Sequence, residues 1–256
     1  MPREVFEWVE LDVPKCSRVY GSSPCAAALG TTGVRKCYNT RGTCQDIANF
    51  ATGTPLTLKF AKAEVPQPYG FKAFPVLGKV SQSSTTVNIA GADPKYGQLG
   101  RRATLDFELT DFTHHERGID PYQSGRVDGT AQTDEGGYDP AARGTFLAKM
   151  KARWPNYAGA EVRLNRAYIE AGILSDTTTY YHRLTELAGP SQGVVSVSCL
   201  DVLDLANAKT ALCPRPNSGV LTADLTASAT TFNITPSGAA AGYAASGWLC
   251  IGSEVM

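Results

Sequence analysis

The sequence predicts a mainly β protein with a few short helices, a β-rich α+β class, on three observations. Apolar and polar residues alternate with period two in several stretches. In residues 103–112, Leu105, Phe107 and Leu109 alternate with Thr104, Asp106, Glu108 and Thr110. Glycine is abundant, 25 of 256 residues, as suits a chain with many turns. Helix signals are confined to two short stretches, one opened by Asp139-Pro140 and one by Asp201.

The elements follow in order. Residues 4–13 alternate as a strand, with Val5, Val9, Leu11 and Val13 on one face and Phe6 and Trp8 on the other. A loop rich in Gly, Ser, Thr and Asn follows, and a loop of this length without periodic apolar residues needs something to hold it. Strand patterns then cover 56–60, 76–80, 85–89 and 103–112, before a long polar loop over 111–139. A helix is expected from Pro140 to about Arg153, with Asp139 as its N-cap, Phe146, Leu147 and Met150 as its buried stripe, and Pro155 as its stop. Strands resume at 161–169, 178–187 and 194–199, with turns at Gly189-Pro190 and Gln192-Gly193. A short helix over 202–212 ends at the break Cys213-Pro214-Arg215-Pro216, and 230–235 and 247–256 read as strands. The expected organisation is an N-terminal strand and cysteine segment over 1–54, a β domain over 55–215 that could hold two related modules, and the start of a small β unit over 216–256.

The 24 basic and 24 acidic side chains cancel, which argues against a dedicated or sequence-specific nucleic-acid binder. The first residues carry no apolar run of signal-peptide length, and nothing approaches a transmembrane span. The expectation is synthesis in the cytosol, where thiols stay reduced.

Chemistry is concentrated in four early cysteines, Cys16, Cys25, Cys37 and Cys44, separated by eight, eleven and six residues. No acidic residue lies between the first and the last, and Lys15, Arg18, Arg35, Lys36 and Arg41 sit among or beside them. Local cations suit a site made negative by four thiolates. Iron–sulfur clusters take four thiolates from widely spread positions, whereas zinc sites favour close Cys-x2–4-Cys pairs, which these intervals lack. A [4Fe–4S] cluster is therefore the favoured cofactor, with zinc less favoured. Two disulfides or four unconnected thiols remain as alternatives. Cys199, Cys213 and Cys250 read as small core residues. No dinucleotide or phosphate-loop motif accompanies the cysteines, so no catalytic residue is assigned and the cluster reads as structural. The pair His114-His115 reads as a solvated turn, His182 as a packed or edge histidine, and the acidic residues of 111–139 as a hydrated loop.

These residues resemble a known family, the tail-tip hub proteins of long-tailed, non-contractile bacteriophages and related gene-transfer agents. Cys16-x8-Cys25 and Cys37-x6-Cys44 resemble the cysteine pairs that hold an iron–sulfur cluster in lambda-type members. Residues 103–112 and 117–122, then 143–146 and 151–157 with Gly159, resemble the family's hub β domain, and 219–221 and 247–252 continue it. The resemblance implies barrel or sandwich hub modules and a homotrimeric ring at the distal end of the virion tail, made in the host cytoplasm. It implies as partners the distal tail protein and a central tip, fibre or receptor-binding protein, and leaves room for the tape-measure protein. Many relatives are longer than this chain. The competing readings are a cytosolic iron–sulfur electron-transfer protein and a zinc-stapled β adaptor.

Overall fold

The alternation in the first residues becomes strand β1 (Glu4–Val13), and its two faces are both covered. Val9, Leu11 and Val13 enter the main core, whereas Phe6 and Trp8 point to the opposite face and form a second cluster. The computed structural model describes residues 4–32, 36–84, 103–128, 138–202, 220–223, 233–235, 250–251 and 254–255. The chain divides into two compact units, Met1–Leu205 and Ala206–Met256.

In the first unit β1 is followed by β2 (Leu56–Ala61), β3 (Leu77–Gln82), β4 (Thr104–Thr110), helices α1 (Gln123–Asp128) and α2 (Phe146–Arg153), and strands β5 (Glu161–Glu170), β6 (Ile173–Ser191) and β7 (Val194–Asp201). The seven strands form one antiparallel sheet in the order β2-β1-β5-β6-β7-β4-β3. The β-rich class read from the sequence is therefore the class observed. Register explains the pairing. Val9 lies opposite Phe60 on one side and Leu164 on the other, and Leu105, Phe107 and Leu109 lie opposite Cys199, Val197 and Val195. Because a one-residue slip would turn these side chains out of the core, the apolar pattern fixes the register. Each fully buried Leu or Phe contributes about 1.5–3 kcal/mol.

The two outer strands are linked by one segment. The Phe74 amide donates to Lys59 O (2.8 Å) and Phe74 O accepts from Ala61 N (2.9 Å), while Val76 O accepts from Thr110 N (2.9 Å). The chain thus leaves the free edge of β2 and enters β3 beside β4. The Phe74 ring fills the space between, within 5.1–6.0 Å of Phe60, Phe112, Phe146 and His114.

Helix α2 lays Phe146, Leu147 and Met150 into the main core, with Trp154 just beyond its end. It starts six residues later than the sequence suggests. The Asp139 carboxylate accepts from Ala141 N (2.9 Å) and closes a local turn, and Gly144, at φ 100°, bends the chain before helical geometry begins. The free amides of the first helical turn are met from a distance: Phe146 N donates to Phe112 O (2.6 Å) and Leu147 N to Asp111 Oδ1 (2.8 Å). Strand β6 is also longer than expected, reaching back to a tight turn at Ala171-Gly172.

Among the described residues of the second unit are two short antiparallel pairs: β8 (Val220–Leu221) with β9 (Ile234–Thr235), and β10 (Cys250–Ile251) with β11 (Glu254–Val255). The strand expected at 85–89 and the helix expected from 203 onward lie outside the described residues, as does Cys213. No helix among the described residues is long and apolar enough to cross a membrane.

Candidate metal centre

The four cysteines belong to the connection between β1 and β2, and backbone pairing closes its neck. Gly53 N donates to Lys15 O (2.8 Å), Ser17 N to Ala51 O (2.8 Å), and Cys16 bridges Thr52, so the hairpin continues beyond its strands. Inside the neck the described residues form turns, with 3-10 helices at Arg41–Thr43 and Ile47–Asn49. The loop is tied across by Cys16 N to Asn39 O (2.9 Å), Ala26 N to Asp46 Oδ2 (2.9 Å) and Thr32 Oγ1 to Gln45 Oε1 (2.7 Å).

All four thiols are free and half-buried. They converge. The Cys37 thiol is pushed up to about 11, by burial first, against the Asn39 amide that donates to it, and further by repulsion from Cys44 and Cys25. Burial likewise raises Cys44, the Asp46 amide opposes it, and Cys16 and Cys25 add to the rise. Each thiol therefore lies within electrostatic reach of at least one other, and Cys44 of all three. Three of them share a local motif in which the amide two residues ahead donates to the sulfur: Arg18 N to Cys16 and Asn39 N to Cys37, both at 3.4 Å, and Asp46 N to Cys44. Such N–H donors favour thiolate over thiol and tune sulfur ligands. Among the described residues, no three His, Cys, Asp or Glu side chains close around a single ion.

The surroundings come from elsewhere in the chain. Tyr20 and Tyr122 line the thiols, their rings 6.2 Å apart, with Tyr20 N donating to the Tyr122 hydroxyl (3.0 Å). Burial raises both phenols, and nearby cysteines raise them further. Arg126 on α1 is fully buried; its Nε donates to Asp120 Oδ2 (2.8 Å) and its Nη2 to the Cys37 carbonyl. Tyr38, next to Cys37, lies between two guanidinium groups, Arg126 at 4.2 Å and Arg153 at 3.6 Å from its ring centre. Arg153 and Lys149 in turn share the buried carboxylate of Glu116, at 3.0 and 2.7 Å. The loop is docked on the end of α2 by Thr40 Oγ1 donating to Arg153 O (2.6 Å) and by Gly42, whose Cα packs against Pro155.

Of the cations expected beside the cysteines, Lys15 does engage: its Nζ donates to Ile119 O (2.6 Å), and burial pulls its pKa down against the pull of Asp120. Arg41 instead lies over Phe50, Arg18 is exposed, and Arg35 lies outside the described residues. Two cations that meet the loop, Arg126 at the Cys37 carbonyl and Arg153 at the Tyr38 ring, come from far along the chain and carry no local mark of this in the sequence. The same holds for Asp120 and Glu116, buried carboxylates within what reads as a hydrated loop. A sequence signal did exist, since Arg117–Arg126 mixes charge with Ile119 and Tyr122, but nothing local marks it as buried. His114 is not a solvated turn residue either; it packs edge-on against Phe74, and its Nδ1 accepts from Glu116 N (2.8 Å). His182 is packed, 2% exposed, and Cys199 is a core thiol pushed up by burial to about 12.

No family model and no curated protein matches this chain. Its chemistry therefore rests on the donor set. The four free thiols of this one loop, with Cys44 in electrostatic reach of the other three, make a candidate four-sulfur donor set.

Proposed function

We propose that this chain is a structural hub subunit of a phage tail tip, and that Cys16, Cys25, Cys37 and Cys44 hold a [4Fe–4S] cluster that fixes the β1–β2 connection. The convergence of four free thiols from one loop, three of them receiving an amide hydrogen, is the observation that carries this reading. The wide sequence intervals of eight, eleven and six residues suit a bulky cluster better than a zinc knuckle, which favours close Cys-x2–4-Cys pairs. Bound there, a cluster would supply four cross-links to a loop whose described residues bury few apolar side chains besides Tyr20 and Ala27, a role in architecture and not in catalysis.

Two further observations support the hub. The segment through Phe74 and Val76 hydrogen-bonds to both β2 and β4, the two sides that a hub barrel would bring together. Strand β6 exposes Ile173 (67%) and Tyr181 (57%), apolar surface suited to contacts between subunits. The assembly would be a homotrimeric ring at the distal end of the virion tail, between the distal tail protein and a central tip or receptor-binding protein.

Anaerobic purification with iron, zinc and labile-sulfide assays, together with light scattering, tests the proposal. A brown trimer with iron and sulfide supports it. Stoichiometric zinc in a colourless protein contradicts the cofactor, and a monomer with a reversibly reducible cluster favours an electron-transfer protein instead.

A further inference from the structure

The Arg126 side chain is 0% exposed, yet one of its nitrogens, Nη1, is buried without a hydrogen-bond partner. An unmet guanidinium donor in the interior costs free energy unless something occupies the space beside it. The other two nitrogens anchor the group at the wall of the thiol cradle: Nε on Asp120, and Nη2 on the carbonyl of Cys37 itself. Asp120 does not cancel the guanidinium charge alone, because it also acts on the half-buried ammonium of Lys15. Two cations thus share one carboxylate.

Resting on the reading that the four thiolates hold a cluster, we propose that Arg126 is the charge-compensating residue of that site. Its guanidinium, held at the Cys37 carbonyl, offsets the negative charge of four thiolates, and Nη1 is the nitrogen left over to donate to a bound group. The position is distant in sequence, so the cradle is completed only when α1 folds against the cysteine loop. Cluster retention is thereby coupled to the docking of this loop.

The test compares the full-length chain, purified anaerobically, with Arg126→Gln, Arg126→Lys and Asp120→Asn, by redox titration and by the rate of iron loss to a chelator. Arg126→Gln removes a positive charge and should lower the midpoint, a tenfold change in the reduction equilibrium being about 59 mV for a one-electron couple. Asp120→Asn frees the same charge and should raise it, and Arg126→Lys should fall between wild type and Arg126→Gln. A merely structural role would speed iron loss in both neutralising variants without moving the midpoint in opposite directions. Should Arg126→Gln fail to fold, the sign of the Asp120→Asn shift decides. Iron-loaded wild type with unchanged midpoints in the variants overturns the role of Arg126 alone, whereas wild type without iron overturns the cluster reading beneath it.

Discussion

Gly42→Ala is the sharpest mechanical probe of how the cysteine loop is held. A Cβ at this position would sit 2.7 Å from Pro155 Cδ, 2.9 Å from Arg153 O and 3.2 Å from Pro155 Cγ. Carbon contacts are comfortable at about 3.5–4.0 Å, so the loop and the end of α2 must part by about 1 Å. Neither neighbour can swing away, one being a proline ring and the other a backbone carbonyl. Parting also stretches the 2.6 Å bond from Thr40 to Arg153 O and the stacking of Tyr38 on Arg153. Overpacking of this kind costs about 1–3 kcal/mol, from which the stiffer unfolded chain of alanine takes back about 0.4–1 kcal/mol. A net loss of about 1–2 kcal/mol should lower the melting temperature by roughly 2–8 °C in a chain of this size. Thermal denaturation followed by circular dichroism reads it. Pro155→Ala in the same background should recover part of the loss, because it removes two of the three clashing atoms. A Gly42→Ala protein as stable as wild type, or strict additivity with Pro155→Ala, would refute the docking described here.

Three further substitutions probe the frame around the site. Glu116→Gln leaves Lys149 and Arg153 facing a neutral amide in the interior and should cost about 3–5 kcal/mol in urea denaturation; an unchanged midpoint would show that the carboxylate is not needed there. Leu164→Ala, at the centre of β5 and 0% exposed, should cost about 2–5 kcal/mol by the same assay, and a loss no larger than that of an exposed substitution would contradict the core assignment. Burial raises Glu10 and Asp12, but hydrogen bonds, Arg163 common to both, outweigh it and hold both below their ordinary 4.5 and 3.8. Their contribution is full above those values and is lost as pH falls through the depressed ones, so Arg163→Gln should flatten the stability profile below about pH 4.5, and an unaltered acid limb would count against the ion-pair network.

What could be read from the sequence follows the range of the interactions. Strands β1, β4 and β7 were legible because a half-buried strand writes its alternation into consecutive residues, as in Leu105, Phe107 and Leu109. The start of α2 was misplaced because its capping partners, Asp111 and Phe112, lie more than thirty residues away, while Asp139-Pro140 imitates a helix start locally. Helix α1 was missed because six residues give too short a pattern, and its one buried side chain is an arginine. The same holds at the site. The four cysteines stand out by type and by the absence of acids among them, but Arg126, Arg153, Asp120 and Glu116 become part of it only through tertiary packing. Charged residues in a polar stretch look solvated unless their partners are known.

Whether four thiolates of one loop hold a cluster is decided by the iron and acid-labile sulfide content of the anaerobically purified protein and of its Cys37→Ser variant. The wild-type chain should carry about four iron and four sulfide, with most of both lost in Cys37→Ser. Wild-type protein carrying no sulfide, or a Cys37→Ser variant that keeps its full complement, would contradict the cluster.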